Sequence, residues 1–459
     1  MSSGDPQFTS VATVILASGK GTRMASDVPK VLHCLGGSPM LHHTMAATGT
    51  LSPSRRVVVV GHGAEAVAAS AAAFDPEVET VLQAPQRGTG HAAQMALPLL
   101  AGFAGDLYVF YGDMPLLRPE TLARIAAERR AGADFVLLGF DTPEPGRFGR
   151  LILEDGRLER IVEAKDATPA ELAVTACNAG AIAGDAATYA RLLGQLTDDN
   201  AQGEYYLTDV IALARAEDAE CRVVFCDPDE AIGINTRAEL AVAEAAFQSR
   251  ARAAAMAAGA TLIAPETIFF SRDTALGRDV TVHPNVVFGP GVTVGAGTEI
   301  RPFCHLEGAR VGANAVIGPF ARLRPGADLG DSVHIGNYVE VKNAVFGTGA
   351  KANHLTYVGD ASVGAGVNLG AGTITCNYDG FSKHRTEIGD GAFVGVNAAL
   401  IAPVTIGAGA YVATGTTVTA DVPEEALAIA RVPQTNRPGL ATRLRKTLAA
   451  RKKARQDTK

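Results

Sequence analysis

The sequence predicts two folds in one chain: a doubly wound, Rossmann-like α/β sheet, then a left-handed parallel hexapeptide β-helix. Three observations carry this. As far as residue 236, short apolar runs ending in Gly-containing turns alternate with Ala-rich helical stretches. Composition then shifts to Ala, Glu and Arg at helical spacing. Beyond Thr261, aliphatic residues recur at every sixth position.

In the first part, residues 11–16, 56–60, 107–110 and 135–139 read as strands, and 64–73 and 90–100 as helices. Alternation at this spacing predicts a mostly parallel sheet, with ligands at the C-terminal strand ends. Residues 237–258 read as a linker helix dividing a 1–236 domain from a 259–459 domain. In the latter, the aliphatic series runs Val280, Val286, Val292, then Val311, Ile317, Leu323, Leu329, Ile335, Val341. It resumes at Val363 and Leu369, and again from Ile388 through Val394, Leu400, Ile406 and Val412 to Val418. A period of six fits neither 3.6 nor 2; it predicts one short strand and one turn per hexad, with three hexads closing a triangular coil. Coils at strand spacing of about 4.8 Å would stack into a prism of roughly nine. Two breaks in period, 341–363 and 375–388, predict loops extruded from the prism, the first carrying His354 and the second Asn377-Tyr378-Asp379.

Composition excludes several classes. A net charge of −7 argues against the broad basic face of a nucleic-acid binder. Apolar residues at 47% and charged residues at 19% support a sizeable core. Six scattered Cys form no C-x-x-C pair, so a reducing cytoplasm is expected. Residues 1–10 lack the apolar core of a leader, and no run approaches the ~18 apolar residues of a membrane span. The basic run from Arg443 to Arg455 reads as a solvated or disordered tail or as a contact for an anionic ligand.

Chemistry concentrates in a few turns. Leu16-Ala17-Ser18-Gly19-Lys20-Gly21-Thr22-Arg23-Met24 follows the first strand. It lacks the third Gly of a dinucleotide fingerprint and the Ser or Thr of a Walker A loop. It still offers bare backbone N–H groups and cations, joined by Lys30, which suits a polyphosphate. Gln83 precedes a second Gly turn, Gly88-Thr89-Gly90-His91, and Tyr111-Gly112-Asp113 sets a carboxylate just past a strand. Mg²⁺ prefers one or two carboxylates plus substrate phosphates, so one Asp suffices.

This ordered set resembles the nucleotidyltransferase domain of sugar-nucleotide pyrophosphorylases. Followed by a hexapeptide β-helix containing His354-Leu355-Thr356-Tyr357, it resembles the family of bifunctional N-acetylglucosamine-1-phosphate uridylyltransferases/glucosamine-1-phosphate acetyltransferases. Asn200-Ala201-Gln202-Gly203-Glu204-Tyr205-Tyr206 and Asn368-Leu369-Gly370-Ala371-Gly372-Thr373 belong to the same pattern. The resemblance implies UTP and UDP-sugar contacts at Leu16, Ala17, Ser18, Gly19, Lys30, Gln83, Gly88, Thr89, Tyr111, Gly112 and Asp113. It implies the sugar phosphate at Gly149, Glu163, Asn178 and Asn235, and Mg²⁺ on Asp113 and Asn235. For acetyl transfer it implies His354 as base, Arg324, Lys342, Tyr357 and Asn368 on glucosamine-1-phosphate, and Ala371, Asn377, Tyr378, Val396, Thr414 and Arg431 near acetyl-CoA. It further implies a homotrimer. Three positions depart from the pattern: Ser18 and Thr414 where Ala is usual, and Val396 where Ser is common. If the contact at Val396 uses main-chain groups little changes; if it needs a hydroxyl, acetyl transfer weakens. The competing readings are a single-function pyrophosphorylase with an oligomerising or regulatory β-helix, and a nucleotide sensor joined to a binding module.

Overall fold

The computed structural model describes residues 10–154 and 156–456. The stretch read for a leader, residues 1–9, lies outside the described residues, as do 457–459 at the end of the basic tail. Among the described residues no helix is long and apolar enough to cross a membrane. The chain divides into two compact units, one running to Ala275 with Val287–Gly291, the other holding Leu276–Val286 and the chain from Val292.

The first unit contains strands β1 (Val11–Ala17), β2 (Arg55–Val60), β3 (Glu79–Leu82), β4 (Asp106–Tyr111), β5 (Phe135–Asp141), β6 (Ala176–Asp185) and β7 (Cys221–Phe225). Their order is β7-β5-β6-β4-β1-β2-β3. All neighbours are parallel except β6, which runs antiparallel to β4 and β5. Both faces are covered, so successive strand residues enter opposite cores. Val14 and Leu16 pack with Val57 and Val59 in one; Ile15 and Ala17 pack with Val58 and Val60 in the other. Helices α1 (Met40–Gly49), α2 (Ala64–Phe74), α3 (Thr89–Ala96) and α4 (Pro119–Arg130) connect the strands. A longer helix, α5 (Arg237–Ala257), starts at a capping box, in which Thr236 accepts from the Glu239 N–H and Glu239 accepts from the Thr236 N–H.

The second unit is built mostly of very short parallel strands stacked in three columns. One inward column reads Ile300, Ile317, Ile335, Ala352, Leu369, Val394, Val412. A second includes Leu323, Val341 and Val358; a third runs Val311, Leu329, Phe346, Val363, Ile388, Ile406. These are one inward residue per strand and three per coil, as the period of six requires. Coils approach so closely that a Cβ at Gly336 would lie 1.9 Å from the Asn353 carbonyl oxygen, so only glycine fits that corner.

One expectation fails here. Residues 351–357 are not an extruded loop. Strands β8 (His334–Asn337), β9 (Glu340–Phe346), β10 (Lys351–His354), β11 (Tyr357–Val363) and β12 (Asn368–Leu369) continue the stack without a break. Ala352 occupies the inward position between Ile335 and Leu369, and a count of large aliphatics passes over it. The second break does leave the prism: between Cys376 and Thr386 the chain loops out, and Phe381 at its tip is 96% exposed. The chain closes with an exposed helix, Leu440–Gln456.

Candidate active sites

In the first unit, the turn after β1, the residues after β3, the start of α3 and the end of β4 meet at the C-terminal ends of parallel strands. A cavity of about 480 Å³ there is lined by Leu16, Ala17, Ser18, Gly19, Lys30, Gln83, Gly88, Thr89, Tyr111 and Asp113. A second of about 290 Å³ is lined by Gly149, Glu163, Asn178 and Asn235. Both are lined by Thr89, Tyr111, Asp113 and Glu204, so they form one groove. Gly112 sits in the strand-end backbone, donating to Leu16 O at 2.9 Å, and lines neither cavity. Gly88 has φ +105°, and a Cβ there would lie 2.5 Å from Tyr205 O; the backbone can take this path only without a side chain.

Charge in the groove is organised around Lys30. Its Nζ donates to Asp113 Oδ2 at 2.5 Å and to Asn235 Oδ1 at 3.1 Å. Two oxygens from distant parts of the chain thus converge on one cation. Arg23 also donates to Asn235 Oδ1, at 3.0 Å. The Asp113 and Asn235 oxygens fit a divalent ion that draws its remaining ligands from a substrate. Among the described residues no cluster of three or more His, Cys, Asp and Glu could hold a metal alone. Burial pushes the Glu163 carboxyl above its ordinary range; Asp209 and Asp166 add to this, against a hydrogen bond from Thr208. Ser18 has a visible role: its hydroxyl donates to Gln83 Oε1 at 2.5 Å, while Gln83 Nε2 donates to Gly88 O at 2.9 Å.

In the second unit, backbone hydrogen bonds between coils define a corner column. Leu355 N donates to Asn337 O, Gly372 N to His354 O, Asn397 N to Ala371 O and Gly415 N to Val396 O, at 2.8–3.3 Å. Asn337, His354, Ala371, Val396 and Thr414 are therefore equivalent positions on successive coils. Arg431 ends the column by donating to Thr414 O. Round the corner, β9 and β11 carry a charged cluster. Arg324 donates to Glu340 at 2.8 Å, which holds its guanidinium above the usual range. Lys342 lies against Lys383, and this pair of like charges lowers the Lys383 ammonium. Asn343 and Asn377 both donate to Asp360. Burial opposes its ionisation, yet these bonds and the two lysines hold its carboxyl below the usual range. Tyr357 is in register with Glu340 in this cluster. Asn368 stands apart, on the preceding face in register with Lys351, and Tyr378 is on the extruded loop, donating to Gly380 O at 2.6 Å.

The comparisons with known proteins cover both units. The family model of the MobA-like NTP transferase domain matches residues 13–202. That of the bacterial transferase hexapeptide (six repeats) matches 273–308, 308–343 and 385–420. The bifunctional protein GlmU of Cereibacter sphaeroides is 56% identical over 97% of this chain and 98% of its own. The chain belongs to the bifunctional GlmU family. GlmU of Paracoccus denitrificans is 55% identical over 96% of this chain and 98% of its own. A solved UDP-glucose pyrophosphorylase complexed with UDP-glucose aligns with 53% of this chain and 99% of that chain, at 14% identity and a TM-score of 0.44; it adds nothing to these relatives.

As a GlmU, the chain is a bifunctional enzyme of UDP-N-acetylglucosamine synthesis, an acetyltransferase and a uridylyltransferase in one polypeptide. Sequence reading missed two residues that its sites bring in. Glu204 lines both cavities of the groove; its signal was the 200–206 motif, to which no role was given. Lys383 meets Lys342 only because the loop from Asn377 folds back. Of the departures, the Val396 carbonyl is already taken by Gly415 N–H, and its exposed side chain offers no hydroxyl.

Proposed function

We propose that the groove of the first unit performs uridylyl transfer and the corner column of the second performs acetyl transfer. In the groove, UTP lies along the turn after β1 with Lys30, Gln83, Gly88 and Thr89, and the sugar phosphate against Gly149, Glu163, Asn178 and Asn235. Asp113 and Asn235 would hold Mg²⁺, which would neutralise charge on the phosphates. An oxygen of N-acetylglucosamine-1-phosphate attacks the α-phosphorus of UTP. The new P–O bond forms as the α–β bridge breaks, and pyrophosphate leaves with that electron pair. Positioning and fixed charge, from Lys30 above all, carry this step.

The observation that supports acetyl transfer best is the corner column, which strings His354, Ala371, Val396 and Thr414 along one edge. Acetyl-CoA lies along that edge with its thioester at His354, and Arg431, Asn377 and Tyr378 flank it. Arg324, Lys342 and Lys383 bind the phosphate of glucosamine-1-phosphate, with Tyr357 and Asn368 on the sugar. The substrate ammonium loses a proton to solvent water and the free amine attacks the thioester carbonyl. His354 takes the second proton from nitrogen as the C–N bond forms; the C–S bond breaks and the CoA thiolate receives that proton. The assembly is a homotrimer. Phe303, Phe320 and Tyr338 support this, being half exposed and stacked coil upon coil at 4.9 and 5.2 Å, an apolar ridge suited to a neighbouring prism. The compartment is the cytoplasm, in keeping with six free thiols. Thiol release from acetyl-CoA with glucosamine-1-phosphate, lost in His354→Ala while pyrophosphate release with UTP and N-acetylglucosamine-1-phosphate persists, is the test.

A further inference from the structure

On the coil before His354, the corner column holds a residue to which neither the motifs nor the family comparison gives a role. We infer that Asn337 is a positioning residue for acetyl transfer: its side-chain Oδ1 accepts the Nδ1 proton of His354, which leaves the Nε2 lone pair free to act as the base. The inference rests on the reading of His354 as base.

The backbones on both sides are held independently of these side chains. Asn337 and His354 are register partners in β8 and β10. Asn337 O accepts from Leu355 N at 3.0 Å, and His354 O accepts from Gly372 N at 3.3 Å and from the Thr356 hydroxyl at 2.7 Å. What remains free is rotation of the imidazole and the choice of tautomer. The 2.7 Å contact between His354 Nδ1 and Asn337 Oδ1 settles both. A neutral imidazole has one N–H; once it is donated at Nδ1, only Nε2 can receive a proton. His354 is otherwise exposed, so without this bond the ring would populate other rotamers and the second tautomer.

The partner is an amide rather than a carboxylate, and that choice has a consequence. A carboxylate would stabilise the imidazolium and make the base harder to regenerate. The titratable groups on the flanking elements are His334 from β8, Lys351 on β10 itself, and Tyr357 and Asp360 from β11, with Asp360 taken up by Asn343 and Asn377; β12 contributes the neutral Asn368. No acidic side chain pairs with His354 among the described residues, so its side-chain partner at Nδ1 is a neutral amide.

Three variants test this in the full-length enzyme. Asn337→Ala should lower kcat for acetyl transfer on the order of tenfold to a hundredfold, the range seen when an outer partner of a functional His is lost. KM for glucosamine-1-phosphate should change by less than about twofold, because a tautomer acts on the chemical step. Asn337→Asp keeps an acceptor. It should recover most of kcat at high pH, and should move the acidic limb of the kcat–pH profile upward by about one unit, since the added carboxylate raises the His pKa. Uridylyl transfer on the same preparations should match the wild type. Wild-type kcat and an unmoved pH limb in both Asn337 variants, with His354→Ala impaired, would overturn the role of Asn337 alone. Full acetyl transfer by His354→Ala would overturn the base and the positioning together.

Discussion

Replacing Asp113 by Ala separates the two activities and can be sized from the structure. The carboxylate is 17% exposed and the Lys30 side chain 13%, so their 2.5 Å pair is largely shielded from solvent. Removing one partner of a fully buried pair costs about 3–5 kcal/mol. Here Lys30 keeps Asn235 Oδ1 at 3.1 Å and some contact with water. A loss of about 1–2 kcal/mol is therefore expected, or a Tm lower by a few degrees for a unit of this size. The kinetic effect is larger. If the metal and its ligand supply about 4 kcal/mol of transition-state stabilisation, their loss costs on the order of a thousandfold, at 1.36 kcal/mol per decade. Pyrophosphate release should fall by that amount, and thiol release from acetyl-CoA should stay within about twofold of wild type, because the second site uses no residue of the first unit. Circular dichroism must show a folded protein. Equal loss of both activities in folded Asp113→Ala would refute the assignment of the groove, and retained uridylyl transfer would remove Asp113 as a ligand.

The remaining predictions are brief. His354→Ala should reduce kcat for acetyl transfer by about a hundredfold to ten-thousandfold, with substrate affinity changing far less; steady-state kinetics reads both. Gly88→Ala forces a Cβ against Tyr205 O at φ +105°, and should destabilise the first unit by at least about 1 kcal/mol and raise KM for UTP, as thermal melts and initial rates report. Burial raises the Glu163 carboxyl, so its ionised form costs stability that the fold bears at neutral pH. Glu163→Gln should then raise Tm at pH 7, and the gain should shrink as pH falls towards the ordinary carboxylate range, where the wild type is protonated as well. A constant gain across that range would exclude titration of Glu163 as its cause. Light scattering should give the mass of a trimer, and a fully active monomer would dismiss the proposed assembly.

How much was legible before the fold was known depends on the kind of signal. Period is local, and so the hexads from Val280 to Val418, the strands of the sheet and the helix after Thr236 could all be read from the chain. Gly-rich turns were legible for the same reason: Gly88 is needed by its own φ, and that constraint shows in the sequence. The groove could be assembled only by resemblance, because Lys30, Asp113 and Asn235 are far apart in the chain and meet through the sheet order β4-β1-β2 and the turn before α5. His354 shows the limit most clearly. A strict period of six turned its strand into a loop, since the inward series shortens to five residues from Val341 to Phe346 and from Val358 to Val363. Ala352 also fills an inward position that a count of large aliphatics treats as empty. Coil stacking decides what faces inward, and at a tight corner a methyl group is enough. The same stacking sets Asn337 beneath His354, and the loop that leaves the prism after Cys376 folds Lys383 back onto Lys342. The first pair is one coil apart in space and seventeen residues apart in sequence, and the second is forty-one residues apart in sequence, so no local pattern records them. The chain's composition and periods determined which two folds form; only the closed coils and the strand order determined which side chains meet.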